Sequence, residues 1–194
     1  MTTSAEYVVP TWNQIYEMLL DQAQKILSDG YKPDIIIGIA RGGLVPARIL
    51  SDLLEIRDLA TIQIEYYAGI AQTKQEPVLK HSLHTQLAGK RALLVDDVSD
   101  GGRSLQLAKS HLQQQGAKEI KIATLYVKPA TITNPDYYEK QTSCWIVFPW
   151  EAKETVTKII QKKAGKSATS KEVAKLVKAG LPKQLAEKLL KDMQ

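Results

Sequence analysis

The 194-residue chain is short of several things at once. One cysteine, Cys144, leaves no disulfide framework and no cysteine set for zinc, as fits a reducing, cytoplasmic compartment. No apolar run approaches the ~18–20 residues of a membrane span. The polar start MTTSAEY lacks the apolar core of a secretory signal, so a protein with no membrane partner is expected. Low-complexity tracts and internal repeats are missing too. The balance of 44% hydrophobic to 24% charged residues suits a chain that buries a core.

Basicity is missing from most of the chain, although the net charge is +5. Residues 153–194 hold 11 lysines against 4 acids, a balance of +7, while residues 1–152 hold 15 Lys and Arg against 17 acids, a balance of −2. The sequence thus divides into a slightly acidic body, 1–152, and a basic C-terminal extension, 153–194. In the extension, TSKE at 169–172 reads as a capping box, Gly180 as a helix stop and Pro182 as the opening of another helix, a small hairpin tethered by KKAGKSA. Its lysines could meet nucleic acid, but a charge run is more often a solvated helical face.

In the body, helical and strand patterns alternate. Residues 11–31 begin with Thr11 and Gln14 at capping-box spacing, carry Ile15, Met18, Leu19, Ala23, Ile26 and Leu27 at helical period, and stop at Gly30. DIIIGIA and RALLVDD are short continuous apolar runs, as strands buried on both faces should be, and TIQIEYY and KIATLYV add two more. GGLVPARILSDLL and SLQLAKSHLQQQG read as the intervening helices, AGIAQTKQEP as a polar loop and KPATITNPDYYEKQ as irregular chain. SCWIVFPWE is a short apolar, aromatic-rich strand or hood within 129–152. The fold class is therefore α/β, with a mainly parallel twisted sheet flanked by helices.

Two standard phosphate-binding fingerprints are absent: no GK[ST] follows a glycine loop, and there is no G-x-G-x-x-G. In their place stands ALLVDDVSDGGRSL, residues 92–105, where a buried strand meets a helix start through three aspartates and two glycines. Strand ends are where open α/β sheets bind ligands. Gly101 and Gly102 let backbone amides converge, and Arg103 and Ser104 add donors at a helix N-terminus, which attracts anions. Carboxylates repel phosphate, and a ligand that pairs a phosphate with hydroxyls or a hydrated Mg²⁺ facing Asp96 and Asp97 would reconcile the two. The plainer alternative, two acids capping a strand in solvent, is disfavoured by the glycine loop and helix that follow.

VDDVSDGGRSL resembles the phosphoribosyl-diphosphate (PRPP) motif of type I phosphoribosyltransferases, where two acids precede a [DA]-T-G-x-T loop. IARGGLVPA resembles their pyrophosphate loop, TLYVKPAT the strand-end Lys-Pro of purine-specific members, and CWIVFPWE their base-binding hood. These lie in family order across residues 10–151, and the likeness is greatest to archaeal-type hypoxanthine and xanthine-guanine enzymes. The resemblance implies the family's fold and a purine-salvage reaction. PRPP and a 6-oxopurine base (hypoxanthine, guanine or xanthine) would give the nucleoside 5′-monophosphate and pyrophosphate, with Mg²⁺, in a cytoplasmic homodimer.

It also implies roles by position. Asp96 and Asp97 hold the ribose hydroxyls, with the metal nearby and held indirectly. Asp100, Gly101, Gly102, Arg103 and Ser104 take the 5′-phosphate, and Asp100 is the general acid/base near purine N7. Ala40, Arg41, Gly42 and Gly43 hold the pyrophosphate, across an Ala40–Arg41 bond expected to be cis, and Arg41 neutralises developing charge. Lys128 donates to O6, Trp145 stacks on the base and the Ile146 backbone meets its C2 edge. The loop 68–77, after Tyr66 and Tyr67, covers the site. One departure stands out: Gly101 occupies the place of the family's threonine, so one phosphate-binding hydroxyl is missing.

Other singled-out residues have quieter readings. Trp150 suits a core or interface aromatic and Cys144 a small buried apolar residue; His111 suits a helix surface. His81 and His84 lack the helix and acidic partners that would make them a metal site. Gly101 and the basic extension motivate a second hypothesis, a PRPP- or nucleotide-sensing regulator of the same fold that binds nucleic acid through its tail. A transferase acting on a pyrimidine or other base is a third, against which Lys128 and the hood argue.

Overall fold

The computed structural model describes residues 6–67, 76–162 and 166–191. In chain order it forms β1 (Tyr7–Val8), α1 (Trp12–Ser28), β2 (Ile35–Ala40), α2 (Leu44–Leu53), β3 (Leu59–Tyr67), β4 (Glu76–His81) and β5 (Arg91–Ser99). There follow α3 (Arg103–Gln114), β6 (Glu119–Val127), β7 (Tyr137–Gln141), β8 (Trp145–Ile146), a 3₁₀ turn (Pro149–Glu151), α4 (Ala152–Lys162), α5 (Lys166–Ala179) and α6 (Lys183–Lys191). By packing, residues 16–142 form one compact unit, and the described parts of 1–15 and 143–194 form another.

The first unit is built on a six-stranded sheet in the order β4-β3-β2-β5-β6-β7. All neighbours are parallel except β3 and β4. The continuous apolar runs sit centrally, as two-sided burial requires: Ile35, Ile36, Ile37, Leu93, Leu94 and Val95 are fully buried. Leu105, Ala108 and Leu112 of α3 pack on Ile35, Ile37 and Leu94. α1 begins with the expected capping box, the Thr11 N–H donating to Gln14 Oε1 at 2.9 Å and the Gln14 N–H to Thr11 Oγ1 at 3.2 Å. It buries Ile15, Met18, Leu19, Ala23 and Ile26 at the expected spacing, and Gly30 leaves it at φ +68°.

Two strands of this sheet were not expected from the sequence. β7 lies within the segment read as irregular and pairs in parallel with β6 at the sheet edge, and β4 is the antiparallel edge at the other side. An edge strand buries one face at most, so YYEKQ and EPVLKH lack the apolar run that marks β2 and β5. The order of the sheet has a consequence for function. From β2 the chain crosses to β3 on one side and β5 lies on the other, so the topological switch point falls between β2 and β5. The loops leaving those two strands carry the glycine-rich motifs.

In the second unit β1 and β8 pair in parallel, Tyr7 opposite Trp145 and Val8 opposite Ile146. Val147 shares a core with Val156 of α4, Val173 and Leu176 of α5, and Ala186 and Leu189 of α6. Trp150 stacks on Phe148 at 4.8 Å and meets Trp12 at 5.7 Å, in keeping with a packing role. TSKE does not start a helix: residues 169–172 lie inside α5, where Glu172 is buried and accepts the Tyr7 hydroxyl proton at 2.6 Å. Gly180, at φ +123°, and Pro182 separate α5 from α6 as expected. No helix among the described residues is long and apolar enough to cross a membrane.

Candidate active site

The two glycine-rich loops meet at the switch point. β2 ends at Ala40, the Ala40–Arg41 bond is cis as expected, and Arg41 to Gly43 lead into α2. A methyl group on Gly42 would collide with the carboxylate of Asp97, and one on Gly43 would come within 2.8 Å of the Ile39 carbonyl oxygen. Glycine is therefore required by close approach: the loop 40–43 lies directly against the paired acids of β5.

Asp96 and Asp97 occupy adjacent positions near the carboxyl end of β5, and the Asp97 N–H donates to Asp96 Oδ1 at 3.0 Å. Burial pushes the Asp96 carboxyl well above its usual range, and the neighbouring Asp97 charge pushes it further. The amides of Asp97 and Gly43 pull it back only in part. Two adjacent carboxylates, one of them held against its charged form by burial and by its neighbour, are a common mark of a functional site.

Beyond them the strand ends at Ser99, Asp100 is exposed, and Gly102 caps α3 in the left-handed region at φ +78°. Arg103 and Ser104 thus stand in the first turn of α3, whose amides favour an anion. A cavity of about 250 Å³ is bounded by residues 96–102, Ser104, Leu105 and Tyr66. Lys128 follows β6 immediately, and its N–H donates to the Ser99 carbonyl at 2.9 Å, which brings the Lys-Pro motif to the base of the loop.

The structure gathers Ala40 to Gly43, Asp96, Asp97, Asp100 to Ser104, Tyr66 and Lys128 in the first unit. Trp145 and Ile146 belong to β8 of the second unit, Trp145 exposed and Ile146 buried. Tyr67 is the last residue of β3; residues 68–75 of the expected covering loop lie outside the described residues, and Glu76 and Pro77 open β4 instead.

Partners unforeseen from the sequence engage the loop's donors. Ser104 Oγ donates to the Tyr66 hydroxyl at 3.0 Å, and Arg103 Nη1 pairs with Glu76 Oε1 at 2.8 Å. Thr131 and Ser99 join their hydroxyls at 2.7 Å behind the glycines. No local motif announces any of these, since each joins residues about one element or more apart in the chain. Among the described residues there is no cluster of three or more His, Cys, Asp or Glu that could hold a metal without help.

A mainly parallel sheet whose switch point brings a glycine-rich loop against a pair of acids defines the class, and the chain belongs to the phosphoribosyl transferase domain family, whose model matches residues 11–157. Its relatives narrow the comparison. It is 35% identical over 158 residues to a xanthine-guanine phosphoribosyltransferase of Nitratidesulfovibrio vulgaris, covering 78% of this chain and 91% of that one. It is 29% identical over 183 residues to a hypoxanthine-guanine phosphoribosyltransferase of Schizosaccharomyces pombe, covering 74% and 88%. The crystal structure of a purine phosphoribosyltransferase from Pyrococcus horikoshii superposes with a TM-score of 0.68 at 43% identity, covering 75% of this chain and 93% of that one.

Proposed function

We propose that the protein is a purine-salvage phosphoribosyltransferase, transferring the 5-phosphoribosyl group of PRPP to hypoxanthine, guanine or xanthine and releasing pyrophosphate. The observation that carries this reading is the abutment of Gly42 on Asp97. It sets two anion-binding loops on either side of one acid pair, the arrangement for a sugar that carries phosphate at both ends. The activities named for the relatives support the choice of base class.

In this reading the amides of Gly101 and Gly102 and the first turn of α3 take the 5′-phosphate, while Asp96 and Asp97 accept hydrogen bonds from the ribose hydroxyls. Arg41 and the loop 40–43 stabilise charge on the departing pyrophosphate as C1′ becomes oxocarbenium-like. Asp100, exposed at the end of β5, exchanges a proton with purine N7. Lys128 donates to O6, which selects 6-oxopurines over adenine. The hood motif assigns Trp145 to stacking on the base and the Ile146 backbone to its C2 edge.

The family's Mg²⁺ fits this donor set, because two carboxylates suit a hard ion that draws its other ligands from water and phosphate oxygens. Asp96 and Asp97 would hold it, indirectly through water, and when bound it would neutralise charge on the pyrophosphate. We place the reaction in the cytoplasm and the chain in a homodimer with the partner beside the loop 40–43, as the family resemblance implies.

The test is pyrophosphate release from PRPP and Mg²⁺ with hypoxanthine, guanine, xanthine and adenine offered separately. Release with one or more 6-oxopurines and none with adenine is expected. Release with no base, or with adenine alone, would sink the reading.

A further inference from the structure

Gly101 raises the question of what holds the 5′-phosphate loop in shape. Lack of space does not explain the glycine, because a Cβ built there meets no atom within 4 Å. The loop is instead held from outside, by the turn that follows Lys128 and Pro129. The Ile132 N–H donates to the Gly101 carbonyl at 3.2 Å. A Cβ on Gly102 would lie 2.5 Å from Thr131 Oγ1 and 2.6 Å from the Thr133 nitrogen, so turn and loop are in contact with no side chain between them.

Ser99, buried at the end of β5, completes the clasp. Its hydroxyl lies 2.9 Å from the Thr133 carbonyl oxygen, which Thr131 Oγ1 also approaches at 3.2 Å. The two hydroxyls meet at 2.7 Å, a contact in which either can be the donor. The Lys128 N–H reaches the Ser99 carbonyl at 2.9 Å, and the Thr131 N–H reaches the Lys128 carbonyl at 3.2 Å. Hydrogen bonds and close backbone approach thus tie 99–102 to 128–133 at several points.

The direction of these bonds matters. In a planar trans peptide the C=O and N–H point opposite ways. Fixing the Gly101 carbonyl toward Ile132 turns the Gly102 N–H of the same peptide away from the Ile132 N–H, free to meet a ligand rather than the turn.

We infer that Thr131, acting with Ser99, is a positioning residue for the 5′-phosphate: it holds the Gly101–Gly102 peptide so that its amide meets the phosphate. It supplies from outside the loop the order that a hydroxyl side chain at position 101 would supply from within. The inference rests on the proposed reading that this loop takes the 5′-phosphate of PRPP.

Thr131→Val keeps the shape and removes the hydroxyl, and Thr131→Ser restores it; Ser99→Ala tests the same contact from the other side. Steady-state rates, direct binding of PRPP and of the nucleoside 5′-monophosphate, and thermal melting would be measured for each. Loss of one such hydrogen bond is expected to weaken PRPP and nucleotide binding about fivefold. The KM of the base and kcat should stay within about twofold, with Thr131→Ser close to wild type. Unchanged PRPP and nucleotide binding in both Thr131→Val and Ser99→Ala would overturn the inference. So would losses in base KM and kcat that match the loss in PRPP binding and track a fall in melting temperature, the mark of general loosening. A wild-type protein that binds no PRPP would overturn the underlying reading as well, and so is distinguishable from either.

Discussion

Asp100 is exposed at the point where β5 gives way to the glycine loop, one residue beyond the buried Ser99. Such a carboxylate can trade protons with a ligand while its neighbours hold that ligand still. Asp100→Asn keeps the shape and removes the base, so kcat should fall by about 10²–10⁴. The dissociation constant of PRPP should change by less than about threefold. Steady-state kinetics alongside calorimetric titration would separate the two, and an unchanged kcat would remove Asp100 from its assigned role. The resemblance of the loop to a family motif supplied this role for Asp100, whereas the residue types alone pointed only to a ligand that pairs a phosphate with hydroxyls or a metal. The pairs Tyr66–Ser104 and Glu76–Arg103 were not legible, since nothing near Ser104 or Arg103 in the chain specifies a partner.

Among the elements, the central strands were the plainest in the sequence and the edge strands the most obscure. β2 and β5 bury both faces and so must be apolar throughout, whereas β7 exposes Tyr138, Lys140 and Gln141 and looks like loop. The C-terminal helices show the same contrast. Their leucine spacing was readable, but the start of α5 was not, because Lys166 to Ser170 contain no residue that forbids a helix. α5 contributes Leu176, fully buried among Val147, Val156 and Leu189. Leu176→Ala should therefore cost about 2–5 kcal/mol. Urea unfolding monitored by circular dichroism would show it, and a change below about 1 kcal/mol would mean that α5 is not held by this core. Lysines of the extension are partly engaged within the unit: Lys158 pairs with Glu154 at 2.8 Å and Lys175 with Glu6 at 2.7 Å. That favours the solvated-face reading of its charge.

Across the whole molecule, stability at low pH depends on carboxylates that the fold pairs with cations. Asp34 precedes β2 and accepts hydrogen bonds from the Arg91 side chain and from the Arg91 backbone N–H at the start of β5; these hold its carboxyl down at about 2. Asp29 is lowered likewise by Lys121 and the Tyr137 hydroxyl. An unfolded aspartate titrates near ~3.9, so between roughly pH 4 and pH 2 the unfolded chain binds more protons than the native one. The Asp34 contribution is complete above about pH 4 and is lost as pH falls toward 2. Because the pair is exposed its contribution is modest and should shrink with salt. The urea midpoint of the wild type should therefore fall more steeply over this window than that of Asp34→Asn, and parallel curves would refute the assignment. Here, as at the active site, chain order and folded geometry carry different information. Alternating apolar periods, the capping box at Thr11 and the glycine-flanked acids are patterns of near neighbours, and near neighbours suffice to specify helices, buried strands and the kind of ligand chemistry present. The contact of Gly42 with Asp97, the clasp of Thr131 on the loop of Gly101 and Gly102 and the edge pairing of β7 join residues far apart in the chain. Those were settled by which strands lie side by side, since close packing and directional hydrogen bonds come into force only when the sheet has formed.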